Sequence, residues 1–199
     1  MTDTTATAFA LPAPAAMLRA ALICASTEQA RYYLNGVYVD PKGFLVSTDG
    51  HRAFIGKIDL TGAPAFDGWI IPRDAVKRAL TGYKADVIEI SPTRCGDIAC
   101  QPVDGSYPDW RRAVPPADGL SGATAQFNPE YIADMGKIGA VLRGKHKNSL
   151  SAHIHHSGEA PAAVTFPEIE NAFAVLMPIR ADYSDNGIEA WAARRALID

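Results

Sequence analysis

The chain has few of the features that mark secreted, membrane or disulfide-stabilised proteins. Its 199 residues include three cysteines, Cys24, Cys95 and Cys100, and none of them forms a CxxC pair. An odd and sparse set argues against a disulfide framework and favours a reducing compartment. No apolar run approaches the roughly 20 residues of a membrane span, and the N-terminus lacks the basic start and apolar core of a signal peptide. We therefore expect a cytoplasmic protein.

Motifs for common enzyme chemistry are also missing. The chain has no phosphate-binding loop, dinucleotide fingerprint, HExxH motif or nucleophile elbow. His153, His155 and His156 suggest a metal site, but on a strand His153 and His155 share one face while His156 lies on the other. Two ligands are fewer than the three or four that zinc takes in proteins. We expect no cofactor, no metal and no enzymatic activity, and a metal-dependent enzyme is the weakest alternative.

Charge is nearly balanced overall but unevenly distributed along the chain. The composition, 48% hydrophobic and 21% charged with a net charge of −3, is that of a globular protein. Four basic residues oppose one acidic residue in 72–84, and four oppose two in 128–147. Basic helices in an acidic body are typical of a surface that faces DNA, although an ordinary solvated helix face gives the same pattern. The candidate DNA-binding residues are Arg73, Lys77, Arg78, Lys84, Lys137, Arg143, Lys145 and Lys147.

Secondary-structure signals recur three times in the same order: a short strand, a helix that begins at or just after a proline, and further strands. The first strands are predicted at 8–11, 68–71 and 125–127. In the third cycle Asn128 is a helix cap, and an apolar stripe follows at helical spacing. The stripe consists of Ile132, Met135, Ile138 and Leu142. The pattern predicts an α+β protein built from three strand–helix–strands units.

The most informative stretch is a predicted hairpin. Residues 31–40 are rich in aromatic and β-branched residues, 40–43 carry a turn signal, and 44–54 are strand-like again. The second arm contains Thr48-Asp-Gly-His-Arg52, a polar cluster where a plain strand would stay apolar. Two later stretches complete the set: Val103-Asp-Gly-Ser-Tyr-Pro-Asp-Trp-Arg-Arg112 and Ala174-Val-Leu-Met-Pro-Ile-Arg180.

These four stretches, in this order, resemble the bacterial β sliding clamp, the β subunit of DNA polymerase III. The resemblance covers roughly residues 8–182 and implies the DNA-clamp fold, with helices on the inner face and antiparallel sheets outside. Residues 8–115 resemble the family's middle domain, and 123–182 resemble the closing half of its last domain. The family's first domain and the opening half of its last are expected to be missing, which would suit a mini-clamp of phage or mobile-element origin. Residues 183–199 extend beyond the family pattern and are predicted to be helical.

The resemblance implies a DNA sliding clamp, a processivity factor in DNA replication. Such a protein encircles double-stranded DNA as an oligomeric ring and tethers a polymerase or another DNA-processing protein, with a clamp loader among the implied partners. A lone half-domain leaves a sheet edge uncovered, which also predicts self-association. Three repeats per chain in a ring of twelve imply a homotetramer. The alternative is a regulatory or decoy protein that binds the same peptides without encircling DNA.

By the same resemblance, one groove is expected to bind peptides of partner proteins. An apolar floor with an adaptable methionine accepts aliphatic and aromatic anchors. Ala53 and Ala113 are smaller than the family's residues and are expected to widen the groove. The residues carried over are Leu34, Thr48, Gly50, His51, Arg52, Pro108, Val175, Met177, Pro178, Ile179 and Arg180.

Overall fold

Two antiparallel sheets and one layer of helices form the part of the chain that a computed structural model describes, residues 9–116, 125–144 and 152–179. The helices are α1 (Ala15–Cys24), α2 (Arg73–Leu80) and α3 (Pro129–Arg143). The strands are β1 (Leu11–Pro14), β2 (Gly36–Asp40), β3 (Phe44–Thr48), β4 (Arg52–Lys57), β5 (Trp69–Pro72), β6 (Val87–Ser91), β7 (Arg94–Cys95), β8 (Ile98–Ala99), β9 (His153–His155), β10 (Ala162–Phe166) and β11 (Ile169–Leu176). The predicted α+β class is confirmed.

The first two repeats are woven together by an exchange of their first strands. The smaller sheet has the order β1-β6-β7-β8, so the first strand of repeat one pairs with repeat two. The larger sheet has the order β5-β2-β3-β4-β11-β10-β9. In it, β5 of repeat two pairs with β2 of repeat one. Each of these two repeats therefore completes the sheet of the other.

The larger sheet contains strands from both predicted domains, 8–115 and 123–182. β4 pairs antiparallel with β11, and Arg52 lies opposite Leu176 at one end of the pairing. Strands from residues 36–72 and from residues 153–176 consequently belong to one seven-stranded sheet. The division into domains at 8–115 and 123–182 stays a prediction.

The main core lies between the helices and the sheets. Helix α1 is central, because it contacts both α2 and α3 as well as strands β3 and β4. Leu18, Phe54, Val76 and Ile138 are fully buried in this core. Most of the stabilisation comes from this apolar burial, at roughly 1.5–3 kcal/mol for each large aliphatic side chain.

A second, smaller apolar cluster lies on the opposite face of the larger sheet. It contains Val46, Ala53, Ile55 and Val175 from the central strands. Tyr107 and Trp110, from the chain after β8, pack over it. The candidate groove is built on this outer cluster.

Two predicted strands have a different structure. Tyr32–Leu34 form a 3₁₀ turn, because local hydrogen bonds from Leu34 to Arg31 and from Asn35 to Tyr32 satisfy the backbone there. Residues 125–127 are not paired into a sheet among the described residues, since no second strand lies beside them. The predicted arm at 44–54 is two strands, β3 and β4, joined by the polar cluster as a turn.

The predicted helix at 183–199 lies outside the residues that the structure describes and stays a prediction. Within the described ranges, no helix is long and apolar enough to cross a bilayer.

Candidate peptide-binding groove

The polar cluster between β3 and β4 is a tightly hydrogen-bonded turn. The hydroxyl of Thr48 donates to the carbonyl of Arg52 at 2.7 Å and accepts the Gly50 N–H at 2.9 Å. Asp49 Oδ1 accepts the N–H groups of His51 and Arg52 at 2.9 and 3.1 Å. Gly50 has φ of +92°, a conformation that glycine adopts without steric cost. The side chains of Thr48 and Asp49 are therefore used to close the turn.

Arg52 links this turn to the third repeat. Its Nε donates to Asp49 at 3.1 Å, and its Nη1 pairs with the carboxylate of Asp134 in α3. The guanidinium lies 4.6 Å from the centre of the Tyr131 ring, also in α3. The side chain is only 14% exposed, so this ion pair is shielded from water and holds α3 against the hairpin.

Asp40 anchors the loop that forms the opposite wall. Its carboxylate accepts Trp110 Nε1 at 3.1 Å and two Arg111 nitrogens at 2.9 and 3.0 Å. Burial by itself raises the pKa of Asp40, but hydrogen bonds from Arg111, the Lys42 N–H and Trp110 together hold that pKa below its usual value. The carboxylate is thus ionised at neutral pH and fixes the Trp110 ring beside the outer apolar cluster.

A cavity of about 310 Å³ lies where the turn, the Trp110 loop and the end of β11 meet. Its floor is apolar, with Ile55 and Val175 from adjacent strands, while Met177 stands at its edge and is 37% exposed. The lining residues are Arg31, Tyr33, Leu34, Thr48, Gly50, Arg52, Ala53, Ile55, Pro108, Asp109, Trp110, Ala113, Val175 and Met177. The arrangement can hold an apolar side chain on the floor and bind a peptide backbone at the polar rim.

The structure brings seven of the eleven predicted groove residues to this cavity: Leu34, Thr48, Gly50, Arg52, Pro108, Val175 and Met177. His51, Pro178 and Ile179 are not among the lining residues. His51 instead stacks on Tyr131 with ring centroids 6.0 Å apart. Arg180 lies outside the described residues.

Sequence reasoning missed five of the lining residues: Arg31, Tyr33, Ile55, Asp109 and Trp110. Four of them lie inside the quoted stretches, so the signal was present but was not carried to those positions. Both small residues noted from the sequence, Ala53 and Ala113, do line the cavity. A larger and more open cavity of about 1330 Å³ lies beside Phe66 and Trp69, and none of the predicted groove residues lines it.

The candidate DNA-binding residues divide into exposed and buried groups. Lys77, Arg78 and Lys84 are exposed on or just after α2, and Lys137 is exposed on α3, where it pairs with Asp134. Arg73 is half-buried at the start of α2. Arg143 is a correction: it is 8% exposed and its Nε donates to the Pro167 carbonyl at 3.3 Å, so it does not face solvent. Lys145 and Lys147 lie outside the described residues.

The three histidines considered as zinc ligands lie in β9 or directly after it. His155 Nε2 lies 2.8 Å from Thr165 Oγ1, and the His156 ring packs near Phe127. No group of three potential ligands is found within the ranges that the structure describes.

The known proteins that match this chain in sequence or in structure include bacterial β sliding clamps. No family model matches the chain. The β sliding clamp of Caulobacter vibrioides is 32% identical over 109 residues, which are 45% of this chain and 29% of that protein. The β sliding clamp of Salmonella typhimurium is also 32% identical, over 101 residues that are 44% of this chain and 28% of its own length. Over this part of its length, the chain is similar to the bacterial β sliding clamps.

Solved clamp structures share the fold of most of the chain. The clamp of Caulobacter crescentus has a TM-score of 0.65 at 20% identity and covers 90% of this chain and 67% of its own. The clamp of Bacillus subtilis has a TM-score of 0.66 at 15% identity, with 90% and 66% covered. The predicted sliding-clamp fold and the resemblance are both confirmed. The sequence match, however, spans less than a third of the curated relatives.

Proposed function

We propose that the protein is a DNA sliding clamp, a cytoplasmic and non-enzymatic ring of several copies. It encircles double-stranded DNA and tethers a polymerase or another DNA-processing protein through the groove. The observation that carries this proposal is the convergence of stretches far apart in sequence on one apolar cavity of about 310 Å³, in a chain with the clamp fold. The twelve-repeat ring of four chains and the use of a clamp loader belong to this proposal.

The shape of the groove supports a short peptide as its ligand. Its volume is near the lower end of the roughly 300–1,000 Å³ of small-ligand sites, which suits one or two large side chains. Ile55 and Val175 offer an apolar floor, and the flexible Met177 at the edge can adjust to aliphatic or aromatic anchors. Arg31 pairs with Glu28, and Arg52 pairs with Asp49 and Asp134, so the charges at the rim are already balanced and the apolar floor supplies the preference for the anchor.

The groove is tested by Met177→Glu. A carboxylate at the mouth of an apolar cavity opposes burial of the peptide anchor, so affinity for a clamp-binding peptide should fall more than tenfold. Fluorescence anisotropy with such a peptide measures the loss, while native mass should stay unchanged. Val87→Glu is the matched control, because Val87 is 45% exposed and does not line the groove. Equal affinities for the wild type and Met177→Glu would contradict the assignment of this cavity.

DNA encirclement is tested by retention on closed circular DNA. A ring stays on a closed circle in high salt and slides off after the circle is linearised. Charge reversal at Lys77, Arg78 and Lys137 should weaken DNA binding at low salt, since each lost phosphate contact lowers the salt slope by about 0.9. Peptide binding without any retention on closed circles would favour the decoy alternative.

A further inference from the structure

The first two repeats show how two copies of this unit complete each other. In each, the first strand ends at the residue that precedes the helix, Pro14 or Pro72. Pro14 pairs with Val87, the first residue of β6, and Pro72 pairs with Gly36, the first residue of β2. Each repeat therefore places its first strand along the second strand of its neighbour, in the same register both times.

The third repeat has the same parts in the same places, but among the described residues no strand pairs with its first segment, 125–128. The carbonyl of Gln126, two residues before the helix cap Asn128, accepts the N–H of Ile179 at 2.8 Å. The carbonyl of Ile70, two residues before Pro72, accepts the N–H of Val103 at 3.0 Å in the same way. One edge of residues 125–128 is thus occupied as in β5.

The other edge is open within the described part of the chain. Successive residues of an extended segment direct their backbone groups to alternate sides, so those of Phe127 lie opposite to those of Gln126. The equivalent residue Ile71 pairs with Val37 of β2. Among the described residues Phe127 has no such partner, and β9 pairs with β10 on one side only.

The helix of the third repeat, α3, also has an uncovered apolar position. The fourth residue of each helix is apolar: Leu18 in α1, Val76 in α2 and Ile132 in α3. Leu18 and Val76 are fully buried, whereas Ile132 is 42% exposed. The exposed position is the one that the other repeats bury.

We propose that a second copy of this chain completes the third repeat through a two-fold interface. Residues 125–128 of each copy pair with β9 of the other, and the exposed Ile132 side chains are buried between the two α3 helices. A second copy fits this surface because the third repeat contains both the unpaired segment 125–128 and the open edge of β9. An isologous contact requires that both complementary surfaces belong to the same chain. A single two-fold axis then closes two strand edges and covers both helices.

The register between the copies follows from the β1–β6 and β5–β2 pairings within the chain. Asn128 takes the place of Pro14 and Pro72 and lies opposite the partner's His153. Phe127, which is 9% exposed, then lies opposite the partner's Ile154, and Gln126, which is exposed, lies opposite the partner's His155. Apolar residues meet on the helix side of the sheet and polar residues meet on the other side, as the alternation of a strand requires.

One contact of those two pairings is missing between the copies. The N–H of Ala15 donates to the Asp86 carbonyl at 2.7 Å, and the N–H of Arg73 donates to the Asn35 backbone carbonyl at 3.0 Å. Pro129 stands at the equivalent position and has no N–H. The joint between copies therefore has one hydrogen bond fewer on each side than the joint between repeats one and two.

Native mass of the full chain as a function of concentration tests the proposal. Ile132→Glu places a carboxylate in the apolar contact and should raise the dissociation constant of the dimer more than tenfold. Val87→Glu, an equal change at another exposed apolar residue, should leave it unchanged. A wild-type chain that is monomeric at every concentration, or an assembly that Ile132→Glu does not weaken, overturns the interface. The same measurements need neither DNA nor peptide, so their failure is distinct from failure of the clamp function.

Cross-linking tests the register. Directly opposite residues of paired antiparallel strands have Cβ atoms about 4.5–5.5 Å apart, within reach of a short bifunctional thiol reagent. A mixture of the Gln126→Cys and His155→Cys chains should therefore give a covalent dimer, and a mixture of Gln126→Cys with Val87→Cys should not. Burial raises the pKa of both Cys24 and Cys95 to about 12, so these native thiols stay protonated and unreactive. Wild-type chain is the control for Cys100, and equal cross-linking in both mixtures overturns the register.

Discussion

Replacing Asp134 with alanine should loosen the groove by releasing Arg52 from the third repeat. The Arg52–Asp134 pair joins residues 82 positions apart in the chain, and both side chains are nearly buried, at 14% and 13% exposed. A hydrogen bond to a charged group contributes roughly 1.5–3 kcal/mol. Breaking a buried pair costs about 3–5 kcal/mol when one charge is left uncompensated. Since Arg52 keeps Asp49 at 3.1 Å, we expect a loss near the lower figure, about 2 kcal/mol.

Urea unfolding of matched variants measures this loss. Lys137→Ala removes the other partner of the same carboxylate, but the Lys137 side chain is 66% exposed, so that change should cost under about 1 kcal/mol. Asp134→Ala should also weaken peptide binding, because Arg52 lines the groove. If the two variants lose the same stability, the shielded Arg52 contact is not the anchor and the reasoning is refuted.

Two further predictions concern the walls of the groove. Asp40→Asn should cost about 2 kcal/mol at neutral pH, because a nearly buried carboxylate loses its charged bonds to Arg111. The folded-state pKa of Asp40 is lowered, so this stabilisation is complete above the unfolded pKa of about 3.9 and is lost as pH falls through the folded value. Urea midpoints of the wild type and Asp40→Asn should therefore converge below about pH 4, and a constant gap down to the most acid pH would contradict this. Ala53→Leu should fill part of the cavity and weaken binding of peptides with large anchors about tenfold, some 1.4 kcal/mol, whereas the exposed Ala65→Leu should not.

The sequence was most informative where local chemistry determines structure. Asn128 caps α3 as predicted, since its side chain accepts the Glu130 N–H, and Pro129 stands at the first helical position. The strands β2 and β3 lie within the predicted hairpin because β-branched and aromatic residues favour an extended backbone.

Features that depend on distant partners could not be predicted in the same way. The continuous pairing of β4 with β11 depends on residues more than one hundred positions apart, and no local pattern indicates it. Arg143 has the charge and position of a DNA contact, yet tertiary packing buries it against Pro167. In the groove, Trp110 becomes a wall only because Asp40 holds it there, seventy residues earlier in the chain.

The β4–β11 pairing also has a consequence for folding. Hairpins β2-β3-β4 and β10-β11 each close over a short stretch of chain, whereas the strand pair that joins them must close a very long loop. Local pairings form faster than such distant ones, so this strand pair should form late and open early. Amide hydrogens of residues 52–56 and 172–176 should then exchange at a lower free energy than those of β2 and β3. A peptide bound in the proposed groove would touch both β4 and β11, and it would slow the exchange in proportion to its concentration over its dissociation constant. A partner protein would thereby stabilise the β4–β11 strand pair, which is the last pairing of the fold to form.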